Sequence, residues 1–425
     1  MKNTLLFRNT AALLFLFRLG ACSTHAAYAQ DTAPPGEPPL KQTPVPGPFA
    51  DARLAALDDR LVAEPGRGVT LRSADGAYAL TFRPRVQLRD TFTHDTKDLN
   101  DLELKTLRLV FSGNVLVPEL KFFVQLALGS GDFEKDSDSP IYDAYVEYAG
   151  LRDLNVKAGQ FLVPFDRART VREYALEFVD RSAMVRELSL DRDVGLTVGS
   201  QDLFGFGHRL AYALYLGSGD GKNRVGGQVP GPLSFARITV RPFGAFDDDV
   251  EGDLTREPRL RVALGVAGGY NVHSPRTQST LGNTFTLGFA NYMHAAADLV
   301  VKFHGFSLIA EGLARHATTN GFDGKVNGVA THEWTRSAYG YLVQGGAMLS
   351  RFVQVTLRWE QLFAEAGTDP TLIQLAATRG RQLGAGLNVY LNGHNLKLQA
   401  DCFYLWGVLL KQAQYMARLQ LDASF

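Results

Sequence analysis

The chain has 425 residues, and its 44 basic and 44 acidic side chains cancel to a formal charge of zero. That balance argues against nucleic acid as a partner, because such binders carry a net basic footprint. Beyond the N-terminal leader no apolar run reaches the roughly 18 residues that a spanning helix needs, so any membrane crossing has to be made by strands.

The first residues read as a targeting segment. Lys2 and Arg8 precede a short apolar core, Ala11 to Phe17. Two processing sites compete, and both imply export from the cytoplasm. Ala27-Tyr28-Ala29 has the small-x-small form for cleavage after Ala29, giving a signal peptide over 1–29. Leu19-Gly20-Ala21-Cys22 has the form of a lipobox, in which Cys22 would carry lipid. Residues 30–49 are Pro-rich and read as an extended linker. Over 50–65, Leu54, Leu57 and Leu61 are spaced for two helical turns, which predicts a short helical segment. A disulfide between Cys22 and Cys402 is not expected, because Cys22 is removed or lipidated.

From Ala77 the period becomes two. Leu80, Phe82, Pro84, Val86 and Leu88 alternate with Thr81, Arg83, Arg85, Gln87 and Arg89. One face of such a strand is apolar and the other cationic. Sixteen such segments follow, starting near 77, 103, 119, 140, 154, 193, 207, 233, 259, 290, 306, 337, 352, 381, 396 and 413. Links after odd-numbered segments are mostly long and those after even-numbered ones short, as in outer-membrane barrels. Two links depart from this rule: residues 242–258 are long where a turn is due, and the last hairpin, near Gly407, is short. The expected fold is all-β, a 16-stranded antiparallel transmembrane β-barrel over 77–425. A barrel of that size leaves an aqueous lumen. Tyr142, Tyr145, Tyr148, Tyr390, Tyr404 and Tyr415 are placed in its aromatic girdles.

No catalytic motif is present, and the nine histidines are scattered, so neither an enzyme nor a cofactor is expected. The acidic turn from Asp247 to Asp253 lacks the spacing of a calcium loop and reads as a solvated charge run, so no metal site is expected. What remains is lumen charge. Alternation turns thirteen cations inward: Arg83, Arg85, Arg89, Arg108, Arg237, Arg241, Arg259, Arg261, Lys302, Arg315, Arg358, Lys397 and Arg418. It turns seven carboxylates inward: Asp143, Glu147, Asp298, Glu311, Glu360, Asp401 and Asp422. Rings of Arg and Lys favour anions in a pore, unless the carboxylates neutralise them. The long link after the fifth segment carries Arg167, Arg169, Arg172, Arg181 and Arg186, matched by five carboxylates. Thr170-Val171-Arg172-Glu173 has the capping-box form and predicts a helix start. A link of this length in a wide barrel either folds inward over 165–190 and narrows the bore, or stays on the surface as a loop with an amphipathic helix.

The stretch AGQFLVPFDRARTVREYALEFVDRSAMV with the following RDVGLTVGS resembles the phosphate-selective porin O/P family. Gly159, Gln160, Phe161, Pro164, Phe165, Phe178, Arg181, Ser182 and Gly195 carry the likeness. FRPRVQLRD, Arg108 to Gly113, YDAYVEY, GYLVQGGAMLS and LGAGLNVYLNGHNLKLQADCFY extend it over about residues 77 to 425. The resemblance implies a trimeric outer-membrane porin in a Gram-negative bacterium, with an inward-folded constriction loop over 165–190 and a helix at the Phe178-to-Ser182 motif. It implies outer-membrane lipid and small anionic solutes such as phosphate or polyphosphate as partners. Three rival readings stay open: a general-diffusion pore without phosphate preference, an outer-membrane enzyme using loop histidines, and an adhesin with a closed lumen.

Overall fold

The computed structural model describes residues 60–129, 132, 139–223, 231–408 and 413–425. The leader over 1–29, the linker over 30–49, Leu54 and Leu57 lie outside them. In chain order the strands are β1 (Leu61–Glu64), β2 (Gly68–Arg72), β3 (Ala79–His94), β4 (Asp98–Val115), β5 (Val117–Ala127), β6 (Ile141–Tyr148), β7 (Asn155–Leu162), β8 (Arg192–Ser200), β9 (Leu210–Gly217), β10 (Leu233–Val240) and β11 (Arg261–Ser274). They continue with β12 (Arg276–Gln278), β13 (Leu281–Thr284), β14 (Ala290–Phe303), β15 (Phe306–Ala317), β16 (Gly321–Val326), β17 (Val329–Trp334), β18 (Ala338–Met348), β19 (Val353–Ala364), β20 (Arg381–Asn392), β21 (Leu396–Trp406) and β22 (Gln414–Ser424). Among the described residues the α-helices are α1 (Arg167–Thr170), α2 (Ala183–Leu188) and α3 (Pro370–Arg379).

Among the described residues, sixteen strands form a closed antiparallel barrel: β3 to β11 in order, then β14, β15 and β18 to β22. Closure comes from β22 pairing with β3, from Tyr415↔His94 to Ser424↔Arg85. The Phe425 N–H then donates to the Pro84 carbonyl at 3.1 Å. All sixteen segments expected from the alternation are these strands. A closed barrel leaves no unpaired edge, which is the condition for strands to cross lipid.

The remaining strands decorate the wall. β12 pairs with β13, and β16 with β17, as small hairpins in the long links. β1 and β2 form a hairpin that pairs with the first residues of β3, from Val69↔Phe82 to Arg72↔Ala79. The end of the helix expected over 50–65 is therefore a strand, Leu61–Glu64. Its partner β2 lies just beyond a turn at Pro65-Gly66, and pairing outweighs helix propensity in so short a segment.

The wall alternates as a membrane barrel should. Leu88, Val266, Leu308, Val343, Leu357 and Leu419 are exposed on the outer face, where lipid is the compatible solvent. Exposed Tyr148, Phe204, Phe206, Phe243, Phe306, Phe352 and Phe425 ring the short-turn end. Tyr339 and Tyr415 are exposed toward the other end. Three girdle assignments are corrected. Tyr142, Tyr145 and Tyr390 point inward. Tyr142 is the extra residue of a bulge, since Gln125 pairs with Asp143 and Leu126 with Ile141. Tyr145 and Tyr390 share the inward phase of Asp143 and Asn388.

The inner face is less polar than alternation predicts. Ala296, Val300, Ile309, Leu313, Leu342 and Leu362 of β14, β15, β18 and β19 belong to one buried cluster with Val163, Phe165, Met184, Val185, Leu188 and Leu190. Those last six come from the link between β7 and β8. This part of the lumen is thus filled by an apolar core. Phe165 is its most enclosed aromatic, 1 % exposed and edge-on to Phe235 at 5.6 Å. Replacing Phe165 by Ala should cost about 3–5 kcal/mol, as truncation of a core aromatic does. The loss is measurable as a lower thermal midpoint of the folded barrel in detergent; an unchanged midpoint would mean that this core adds nothing to stability.

Candidate functional site

The β7–β8 link is built from short capped pieces. Pro164 lacks a ladder donor and ends β7. The Asp166 carboxylate then accepts from Arg169 N–H at 2.8 Å and caps α1. A single 3₁₀ turn spans Glu173–Ala175, and Ser182 Oγ accepts from Val185 N–H at 3.0 Å to cap α2. The helix expected to start at Thr170 is corrected: α1 ends there, because the Asp166 cap sets the start three residues earlier than the capping box. Nor is Phe178 to Ser182 a helix; its Ser is the cap of the helix that follows.

This link is tied to inward residues around the barrel. Glu311 of β15 accepts from the backbone N–H groups of Arg167 and Ala168 at 2.8 and 2.9 Å. Lys397 of β21 donates to the Leu176 carbonyl at 2.9 Å. Asn388 of β20 donates to the Glu177 carbonyl at 2.8 Å. Arg358 of β19 donates to the Asp180 carbonyl at 3.0 Å and lies 4.2 Å from the Phe178 ring centre. Arg315 of β15 and Arg336 hold Glu187 at 2.6 and 2.8 Å. Each contact satisfies a backbone or charged group that burial would otherwise penalise. Two glycines of β18 make room for the link. A Cβ at Gly346 would sit 2.1 Å from Glu177 Oε1, and one at Gly340 would sit 2.5 Å from Met184 Cγ.

A second inward segment comes from the short-turn end. The long link 242–258 is not a solvated charge run: Asp248, Glu251 and Asp253 are buried. Lys302 of β14 donates to the carbonyls of Asp247, Val250 and Gly252 at 2.7, 2.9 and 2.9 Å. The two links meet. Arg167 donates to Asp248 at 3.0 Å, Glu177 N–H to Glu251 at 2.7 Å, and Glu251 N–H to the Ala175 carbonyl at 3.2 Å. Gln344 Nε2 donates to both the Glu177 and Glu251 carboxylates, each at 2.8 Å.

The arginines expected to line the lumen therefore divide. Arg237 holds Asp298 at 2.5 Å and the Phe165 carbonyl at 3.0 Å. Arg241, just past β10, holds Asp248 at 3.0 Å. Arg167 bridges both carboxylates, meeting Asp298 at 2.5 Å and Asp248 at 3.0 Å. These three brace the links. Arg261 sits at the rim, bonded to Glu257 and the Phe243 carbonyl at 3.2 and 2.7 Å. Arg259 is a correction: it lies in the exposed turn before β11, because the alternation was extended past the strand.

The wall from β3 to β6 keeps cations beside open space. A cavity of about 180 Å³ is lined by Arg83, Arg85, Arg108, Arg172, Arg181 and Arg192, with Glu173, Tyr142 and Tyr174. A neighbouring cavity of about 220 Å³ shares Arg108, Tyr142 and Glu173 and adds Arg89, Lys105, Arg169 and Arg186. A third, about 520 Å³, shares Arg172 and Tyr174 and reaches Arg241 and Gln201 at the short-turn end. Several of these cations have fixed partners. Arg85 is forked on Asp422 at 2.9 and 2.5 Å. Arg89 bonds Asp180 at 3.2 Å and the Val179 carbonyl at 2.9 Å. Arg108 pairs with Asp132 and Arg169 with Asp191, the latter at 2.6 Å. Arg181 is fixed by the Ala168 and Val171 carbonyls at 3.0 and 2.6 Å. Arg186 is exposed, 3.8 Å from Asp180.

Among the described residues, Arg83 and Arg172 form no ion pair. Their guanidinium groups rest against aromatic rings instead, 5.8 Å from Tyr174 and 5.6 Å from Phe123. Tyr142 is enclosed by Arg108 at 4.1 Å, Arg192 at 3.5 Å and Lys222 at 5.0 Å from its ring centre. Sequence reasoning missed Arg192, the central place of Glu173 and the second link. The one available signal was the length of residues 242–258, which broke the short-turn rule.

No protein-family model matches the chain, and no curated protein matches it in sequence. Solved structures do match in fold. The outer membrane channel DcaP of Acinetobacter baumannii aligns over 84% of this chain and 100% of its own, at 14% identity and a TM-score of 0.53. OmpF of Salmonella typhi, solved with daunomycin, aligns over 84% and 100% at 13% identity and 0.54. The anion-selective porin of Comamonas acidovorans aligns over 82% and 100% at 12% identity and 0.54. The shared property is the barrel.

The contact between the two links is pH-sensitive. Burial and the neighbouring Glu251 push the Glu177 carboxyl up to about 7, from an ordinary 4.5. A carboxyl raised on folding stabilises the fold at low pH, and that stability is lost as pH rises toward the folded value. Barrel stability should therefore fall between about pH 4.5 and 7 and level off above. Glu177→Gln should flatten this part of the thermal-midpoint profile; an unaltered slope in that variant would assign the titration elsewhere.

Proposed function

We propose that the protein is an outer-membrane channel of a Gram-negative bacterium through which small anions diffuse passively, and that no chemical step takes place in it. The observation that carries this reading is the pair Arg83 and Arg172, without an ion pair among the described residues and set with four further arginines around a cavity in which Glu173 is the one acidic side chain among the described lining residues. Cations of this kind raise the local concentration of anions, and weak sites in series let them leave again. The β7–β8 link acts as the constriction: its apolar side fills one part of the lumen and its arginines border the remaining passage. Oxyanions such as phosphate or polyphosphate fit the bidentate geometry that arginine offers, in keeping with the sequence resemblance to phosphate-selective porins. The assembly proposed is a homotrimer in outer-membrane lipid.

Planar-bilayer recording tests the reading. In a KCl gradient the purified protein should give discrete conductance steps with a reversal potential biased toward chloride. The double variant Arg83→Gln, Arg172→Gln should reduce the chloride-to-potassium permeability ratio by roughly threefold, since two unscreened lumen charges are lost. The braced Arg237→Gln should change selectivity far less. Absence of conductance would contradict the channel itself, and an unselective wild type would leave a general-diffusion pore.

A further inference from the structure

Glu173 holds an unusual place among the carboxylates of the lumen. Most others accept direct hydrogen bonds, such as Asp422 from Arg85 and Glu187 from Arg315 and Arg336; Glu147 faces the single cation Lys157 at 3.7 Å, whereas Glu173 faces three. Glu173 lies 3.5 Å from Arg181, 3.7 Å from Arg108 and 4.0 Å from Arg85. These are ion-pair distances with little or no direct hydrogen bonding. Its side chain keeps 29% of its exposure, whereas Arg85 and Arg108 keep 9% and 3%. It borders both of the smaller cavities, at the point where Arg108 and Tyr142 separate them. It sits on a single 3₁₀ turn, so its reach into the cluster is set by one short backbone piece. The surrounding guanidinium groups hold its carboxyl down to about 2, so it is an anion at every working pH.

A carboxylate is itself an oxyanion. One that rests loosely among three guanidinium groups, beside open volume, stands where a permeating oxyanion would bind. We propose that Glu173 is a tethered counter-ion occupying the channel's oxyanion site, so that a carboxylate- or phosphate-sized solute must displace it from Arg85, Arg108 and Arg181. The tether keeps the site from holding a solute tightly, because each arriving anion competes with a resident one that cannot leave. It also lowers the electrostatic penalty of an arginine cluster that stands empty between passages. This inference rests on the anion-channel reading and adds the residue that sets how strongly the site binds.

The experiment is block of chloride current by inorganic phosphate, recorded in planar bilayers on the full-length protein. Wild-type reversal potential is measured first; a channel with no anion bias overturns the anion-selective reading and this inference together, leaving a general-diffusion pore. With the bias present, Glu173→Gln should lower the phosphate concentration for half-block by about tenfold or more, because the cluster then lacks its resident charge. Glu173→Asp, which keeps the charge, should stay close to wild type. A second route covers a Gln variant that does not assemble: Glu173→Cys in a Cys402→Ser background, treated in the assembled channel with iodoacetate. The thiolate displaces iodide and gains a carboxymethyl group, which restores a carboxylate one chain atom farther out than that of Glu. Tight phosphate block should relax on this treatment and persist with neutral iodoacetamide. Half-block that is the same in Glu173→Gln as in wild type, or that does not respond to carboxymethylation, overturns the proposal while leaving the anion-channel reading standing.

Discussion

The structure depends on one constraint: sixteen strands enclose more space than a single layer of side chains can fill. Whatever enters that space must bring its own hydrogen-bonding demands, because each backbone carbonyl and amide taken from water needs a partner. The chain meets this with two links from opposite ends. Their polar groups are met by long cationic side chains of the wall. Lys302 caps three carbonyls of one link, and Lys397 caps a carbonyl of the other. Much of the lumen's positive charge is therefore structural. Buried ion pairs of this kind add little net stability, since desolvation offsets attraction, but they fix one arrangement of the links over others.

The filling is lopsided, and the proposed function rests on that. From β14 to β19 the inner wall carries Val300, Ile309, Leu313 and Leu342 against the apolar side of the β7–β8 link. From β3 to β6 it carries arginines and tyrosines beside open volume. Consequently the count of inward cations does not predict selectivity. Arg237 and Arg83 occupy equivalent phases of their strands, yet Arg237 is committed to Asp298, while Arg83 rests against the Tyr174 ring and forms no ion pair among the described residues.

Much of this was legible in the sequence. Period-two alternation located every barrel strand, because lipid outside and a lumen inside impose that period on each. Arg83, Arg85 and Arg89 were placed on the inner face for the same reason. Failures arose where the period breaks or ends. A bulge brings Tyr142 inward, where Gln125 pairs with Asp143 and Leu126 with Ile141. Arg259 fell past the end of its strand. The apolar inner face was hidden because Leu342 or Leu362 reads as a phase error until the link that covers it is known. Gly340 and Gly346 carried the missing information, since a strand that gives up side chains on its inner face must have something packed against it.

The central claim is that solute passes along the β3–β6 wall while the β14–β19 side is closed by packed chain. Cysteine accessibility tests it directly. In a Cys402→Ser background, Arg83→Cys and Leu313→Cys place one thiol on each side, both at inward-facing positions. The folded protein, treated with a membrane-impermeant anionic thiosulfonate, should be labelled rapidly at position 83 and protected at position 313, as read by intact mass. Equal labelling at the two positions would mean that the lumen is open on both sides and would contradict the account.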